Sequence, residues 1–130
     1  MLRIHPFVMG HLIGAVMTGA IAGAFIGPRA SFIAAVTLLA GAVVSCLICQ
    51  RWPGVEAPAW KLWPVAVFAN PVMIGSLGFM IADWECVAGR RHGLICLLSV
   101  MAIVSAGLCL LPPAGGLLWR WWKRRRAVAA

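Results

Sequence analysis

Apolar runs free of charged side chains set the frame of this 130-residue chain. They cover residues 6–27, 30–49, 62–82 and 93–111. Each is about 20 residues long, enough at 1.5 Å per residue to cross a hydrocarbon core of about 30 Å. Apolar positions follow one another without the alternation of a barrel strand. A helix satisfies its own backbone hydrogen bonds where no water can, so the pattern predicts an all-α integral membrane protein with four antiparallel transmembrane helices. The polar punctuation agrees with these boundaries. Gly27-Pro28-Arg29 ends the first run, Gln50-Arg51-Trp52-Pro53 the second, Asp83 the third and Pro112-Pro113 the fourth. The first run exceeds the 7–15 residue core of a cleaved signal peptide and continues through a short turn into the second. Segment 50–61 is the longest connection, so the chain reads as a single transmembrane domain over 1–130.

Tryptophan sits where headgroups would be. Trp52, Trp60, Trp63, Trp84, Trp119, Trp121 and Trp122 all lie at or beyond the ends of the runs, as interfacial aromatic belts require. Charge orients the frame. Arg3, Arg51, Lys61, Arg120, Lys123, Arg124, Arg125 and Arg126 fall on one side, against Arg29, Arg90 and Arg91 on the other. The basic-side rule then predicts both termini in the cytoplasm. Residues 117–126 read as a Trp-rich interfacial tail, with Arg124, Arg125 and Arg126 on anionic lipid at about 1 kcal/mol per basic side chain. Composition narrows the class further. The chain is 63% hydrophobic and 11% charged with a formal net charge of +8, which excludes an ordinary soluble domain and a disordered one. No specific nucleic-acid partner is expected despite the charge. Abundant Ala, Gly and Arg with no Tyr suit a GC-rich genome and hence a bacterial inner membrane.

Helices in lipid associate through close packing of small residues. The first run carries such a stripe, Ala15, Gly19, Gly23 and Gly27, with a second pair at Gly10 and Gly14. It predicts close contact with the second run or with a separate membrane subunit docking on the first span, or else a groove for lipid or pigment. Gly41, Ser45 and Cys49 form a weaker line in the second run, and Ala102 and Ala106 one in the fourth.

Few residues carry chemistry. Cys46 and Cys49 form a CxxC at the C-terminal end of a span, where the helix dipole works against a thiolate. Cys46, Cys49 and Cys109 share a depth with His5 and His11 in this topology, and thiols with imidazoles are metal ligands. Buried cysteine also behaves as a small hydrophobe, and no metal site is assigned. His11 is the candidate to ligate a haem or pigment; its alternative partner is Asn70 at a similar depth. No cofactor is named by the sequence. Asn70-Pro71 predicts a kink in the third span. Cys86 and Cys96 flank the one mixed-charge loop and could pair on the oxidising side. In length and span count the chain resembles the four-helix disulfide-generating membrane proteins and the small multidrug exporters. The former keep their reactive pair on the oxidising side, unlike Cys46 and Cys49. The latter need a carboxylate in the first span, and this one has none. The resulting expectation is a non-catalytic accessory or scaffold subunit of a larger membrane complex, for which a bioenergetic assembly would suit a His-bearing span. A small oligomeric channel or transporter and a haem-, pigment- or metal-binding protein are the alternatives.

Overall fold

The computed structural model describes residues 4–130, so Arg3 lies outside the described residues. All regular structure among them is helical: α1 (Pro6–Ala24), α2 (Pro28–Arg51), α3 (Ala59–Phe68), α4 (Pro71–Ala82), a single-turn α5 (Trp84–Val87), α6 (Leu97–Leu108) and α7 (Leu111–Ala129). Three helical segments are long and apolar enough to cross a membrane: α1, α2 and the run Leu94–Ala129. The pair α3–α4 makes a fourth if its bend of 65° is counted within one span.

Proline and glycine explain where the helices begin. Pro6, Pro28, Pro71 and Pro112 each stand in the first turn of a helix. There the missing N–H would have had no partner anyway, and the fixed φ suits the helix. His5 and Asn70 add side-chain caps, accepting hydrogen bonds from the N–H groups of Phe7 and Val72 at 3.2 and 2.9 Å.

α1 is the spine, and it packs on two faces rather than along one stripe. A Cβ on Gly19 would stand 2.6 Å from Ala34 O and Ala35 Cα, and one on Gly23 would collide with the backbone of Ala30 and Ser31. These glycines therefore seat α1 against α2. Gly10 and Gly14 point instead at α7, where a Cβ would meet Trp119 Cβ at 2.6 Å and Pro112 Cα at 3.2 Å. α7 answers with its own glycine, since a Cβ on Gly116 would come within 2.7 Å of Phe7 O. Ala15 is fully buried between the two faces. Gly27 departs from the expected stripe: it has open space around its Cβ position and serves as the turn into α2.

The structure sharpens one further boundary and corrects another. The kink expected in the third run at Asn70-Pro71 is a bend of 65° between two helices, broken at Ala69-Asn70. Pro112-Pro113 does not end the fourth run. The chain turns at Cys109-Leu110 and starts α7 at once, so that Leu94–Ala129 is one 36-residue helical run. At 1.5 Å per residue that run reaches about 54 Å, well beyond a hydrocarbon core of about 30 Å. The segment read as an interfacial tail is thus the outer part of a helix whose first turns, through Pro112, Pro113, Gly116 and Arg120, are buried.

Two buried clusters fill the interior. One gathers Phe7, Val8, Cys46, Cys49, Leu62 and Ala66. The other gathers Ala15, Leu38, Ala42, Val67, Met73, Ala106 and Cys109 around the helix breaks. At the far end Cys86 and Cys96 form a disulfide, Glu85 pairs with Arg91 at 2.7 Å, and Ser99 Oγ donates to Asp83 at 2.6 Å.

Gly23→Ala should destabilise the fold, because its methyl meets backbone that has no rotamer to yield; overpacking of this kind costs about 1–3 kcal/mol or more. Gly75→Ala, with open space around it, should be neutral or gain up to about 1 kcal/mol of helix propensity. Denaturation of both variants in mild detergent checks the difference. Equal behaviour would contradict the α1–α2 contact.

Candidate functional site

The interior polar groups converge where α3 gives way to α4. Pro71 has no N–H to offer, and the Asn70 N–H turns to Val67 O at 3.3 Å. The Ala66 carbonyl thereby loses its partner one turn ahead. Ser45 on α2 supplies one: its hydroxyl, fully buried, donates to Ala66 O. A freed carbonyl in an apolar interior costs several kcal/mol if left alone, so Ser45 is what lets the break sit inside the bundle. Gly41 lies one turn before it and makes room for Asn70, whose Oδ1 occupies the place of a Cβ. The weak line Gly41, Ser45, Cys49 in the sequence is therefore the face of α2 turned to the break.

Two side chains there are left with unspent polar atoms. Asn70 Nδ2 is buried without a hydrogen-bond partner. His11 has no exposed surface, and neither ring nitrogen has a partner. The expected His11–Asn70 hydrogen bond does not form. The ring of His11 meets the edge of Phe7, with centroids 5.5 Å apart. Close helix packing surrounds the imidazole, and a macrocycle stacked on either nitrogen would need space that side chains fill. His11 as placed does not fit a haem or pigment ligand.

The cysteines part company. Cys46 and Cys49 belong to the cluster with Phe7 and Leu62, whereas Cys109 belongs to the cluster with Ala15 and Met73. All three are free thiols and buried. No group of three His, Cys, Asp or Glu able to hold a metal occurs among the described residues.

A second polar constellation closes the opposite end of the bundle. Arg120 is only 7% exposed, and its Nη1 donates to Val55 O and Ala57 O, both at 2.8 Å. One guanidinium thus clamps the α2–α3 connection onto α7. Between those two carbonyls Glu56 faces outward and bridges His5 and Arg124. His5 Nδ1 accepts from the Phe7 N–H, so the proton sits on Nε2 and is donated to Glu56. That hydrogen bond, with the charge of Arg124, holds the Glu56 carboxyl below its ordinary value of 4.5. The bridge therefore persists above the carboxylate range and is lost as pH falls through the lowered value.

The expected interfacial anchors surround this end and the other. Trp52, Trp60, Trp84, Trp121 and Trp122 are exposed, while Trp63 packs against the core and the Trp119 Cβ lies over Gly10. Arg125 and Arg126 stack on the rings of Trp121 and Trp122 at 4.2 and 3.7 Å, leaving Arg124 to Glu56. Sequence reasoning did not single out Arg120 or the α1–α7 contact. The signal for the α1–α7 contact was the pairing of Gly10 and Gly14 with Gly115 and Gly116 across the length of the chain; Arg120, bound to two backbone carbonyls, had none.

No known protein family, curated protein or solved structure matches this chain.

A buried polar group left unpaired costs about 1–3 kcal/mol. His11→Leu, close to isosteric, should therefore hold or raise stability in detergent by on the order of 1 kcal/mol. A loss of similar size in thermal or denaturant unfolding would show that the imidazole makes a polar contact in the membrane.

Proposed function

We propose that this chain is a non-catalytic accessory or scaffold subunit of a larger assembly in the bacterial inner membrane. The observation that carries the reading is the fate of its acidic side chains. The sequence has three Asp or Glu in all, and each is bound into the fold. Glu56 bridges His5 and Arg124, Asp83 accepts from Ser99, and Glu85 pairs with Arg91. Carboxylate-based acid–base catalysis and cation coupling both need a carboxyl that is free to exchange protons or ligands. Here the carboxyls are fasteners.

The partner surface follows from what α1 has already spent. Its glycine faces are taken by α2 and α7, so another subunit meets the opposite edge, where Met9, Ile13, Val16 and Met17 are exposed. The disulfide Cys86–Cys96 supports placing the 83–96 connection in an oxidising compartment. That agrees with the charge bias, which puts both ends of the chain in the cytoplasm and the Trp- and Arg-rich end of α7 on anionic lipid.

A second reading, a small oligomeric transporter, is favoured by one specific feature. One apolar run breaks, at Asn70, and the turn at Cys109-Leu110 within the continuous run Leu94–Ala129 packs into the same cluster. Discontinuous helices with unpaired polar groups mark binding sites in transporters, and Asn70 and His11 supply such groups.

Purification from native membranes in mild detergent separates the two. The accessory reading predicts larger subunits at fixed stoichiometry. Their absence, with a homo-oligomer stabilised by a solute and indifferent once His11 is replaced, would establish the transporter instead. Reporter fusions after Arg90 and at Ala130 should give external and cytoplasmic signals respectively. The inverse pattern would overturn the orientation.

A further inference from the structure

A groove separates the α1–α2 hairpin from the α4–α6 pair on the Gly27 side of the breaks. Its volume is about 340 Å³. Ala30, Ala34 and Leu38 form one wall on α2, and Met101, Val104 and Leu108 form the other on α6. The lining is apolar apart from two hydroxyls, those of Thr37 and Ser105. Thr37, on the α2 wall, spends its hydroxyl on Ile33 O at 2.8 Å and leaves its methyl. The origin of the groove is the bend of 65° between α3 and α4. α4 leaves the bundle in company with α6, and neither closes fully on α2.

From residue 30 to residue 38 the α2 wall runs about 12 Å at 1.5 Å per residue, a length that takes a stretch of extended hydrocarbon. Charge decides the end. Arg29, at the first turn of α2 with its side chain exposed, does not line the groove itself but the adjoining hollow that shares Ile26 and Ala30 with it. It has no acidic partner among the described residues, because Glu56, Asp83 and Glu85 are all engaged elsewhere. An uncompensated guanidinium next to the end of an apolar slot matches a phosphate at the end of an acyl chain.

We propose that this groove is a phospholipid site, in which one anionic lipid lays an acyl chain along α2 past Ala34 to Leu38 and sets its phosphate at Arg29. The site is independent of the accessory role. A lipid held there fills the wedge that the α3–α4 bend opens, and so fixes the α4–α6 pair against the hairpin.

The test uses the full-length protein, delipidated in detergent and titrated with dioleoyl phosphatidylglycerol or dioleoyl phosphatidylcholine under native mass spectrometry. The wild type should retain one lipid and prefer the anionic one. Thr37→Trp and Val104→Trp fill the slot from opposite walls, and each should weaken retention of that lipid tenfold or more. Two helices are varied separately so that a folding defect in one does not decide the matter, and the Cys86–Cys96 disulfide reports folding in both. Arg29→Gln should keep a lipid but lose about fivefold of the anionic preference, the effect of one basic side chain at a membrane surface. Lipid retention by both folded Trp variants at the wild-type level would overturn the site. Undiminished anionic preference in Arg29→Gln would overturn the placement of the phosphate.

Discussion

Backbone-to-backbone approach along α1 is the constraint on which the rest of the molecule depends. In a membrane, apolar side chains gain little by leaving lipid for protein, and association rests on close packing. α1 achieves it twice, through Gly19 and Gly23 against α2 and through Gly10 and Gly14 against α7. Because these glycines occupy different faces, α1 holds the two helices at an angle to each other. The space between them is where Phe7, Ala15, Cys49, Cys109 and the enclosed His11 are buried. A single continuous stripe would have made a hairpin. Two faces make a three-helix corner into which α3 can enter.

That corner also explains how a broken span is accommodated. The break at Asn70-Pro71 frees a carbonyl and exposes a helix start, both costly in an apolar interior. Ser45 takes the carbonyl and Asn70 caps the start. Gly41 gives Asn70 the room to do so. Arg120 performs the equivalent service at the end of the bundle, where the α2–α3 connection presents Val55 and Ala57 carbonyls. The cost that remains is His11, a buried imidazole with nothing to bond. It is the least compensated group in the interior, and therefore the residue at which a function not expressed in the fold would show.

The sequence made the spans legible because long apolar runs have one solution in lipid. Prolines and charges marked most of their ends, and the short turn at Gly27 paired the first two. What it left obscure depends on partners distant in the chain. Pro112-Pro113 stops a helix and starts one with equal ease, and only packing against Gly10 and Gly14 selects the second. Arg120 looked like one of several basic tail residues because its acceptors, two backbone carbonyls at 55 and 57, carry no sequence signal. His11 and Asn70 share a region without meeting, since similar depth says nothing about direction. The groove was invisible for a related reason: it arises from the size of the bend at Asn70, which proline announces but does not fix.

α7 packs on α1 inside the bundle and does not lie flat along its outer surface. Oxidative crosslinking of a Gly14→Cys/Gly115→Cys pair tests it most directly, with Cys46, Cys49 and Cys109 replaced by Ala and the Cys86–Cys96 disulfide kept. A Cβ on Gly115 would stand 3.8 Å from Gly14 Cα, well within reach of a disulfide. Crosslinking in native membranes should be rapid and near-complete, with none for Gly75→Cys/Gly115→Cys. Failure of the first pair to crosslink in folded protein would contradict it.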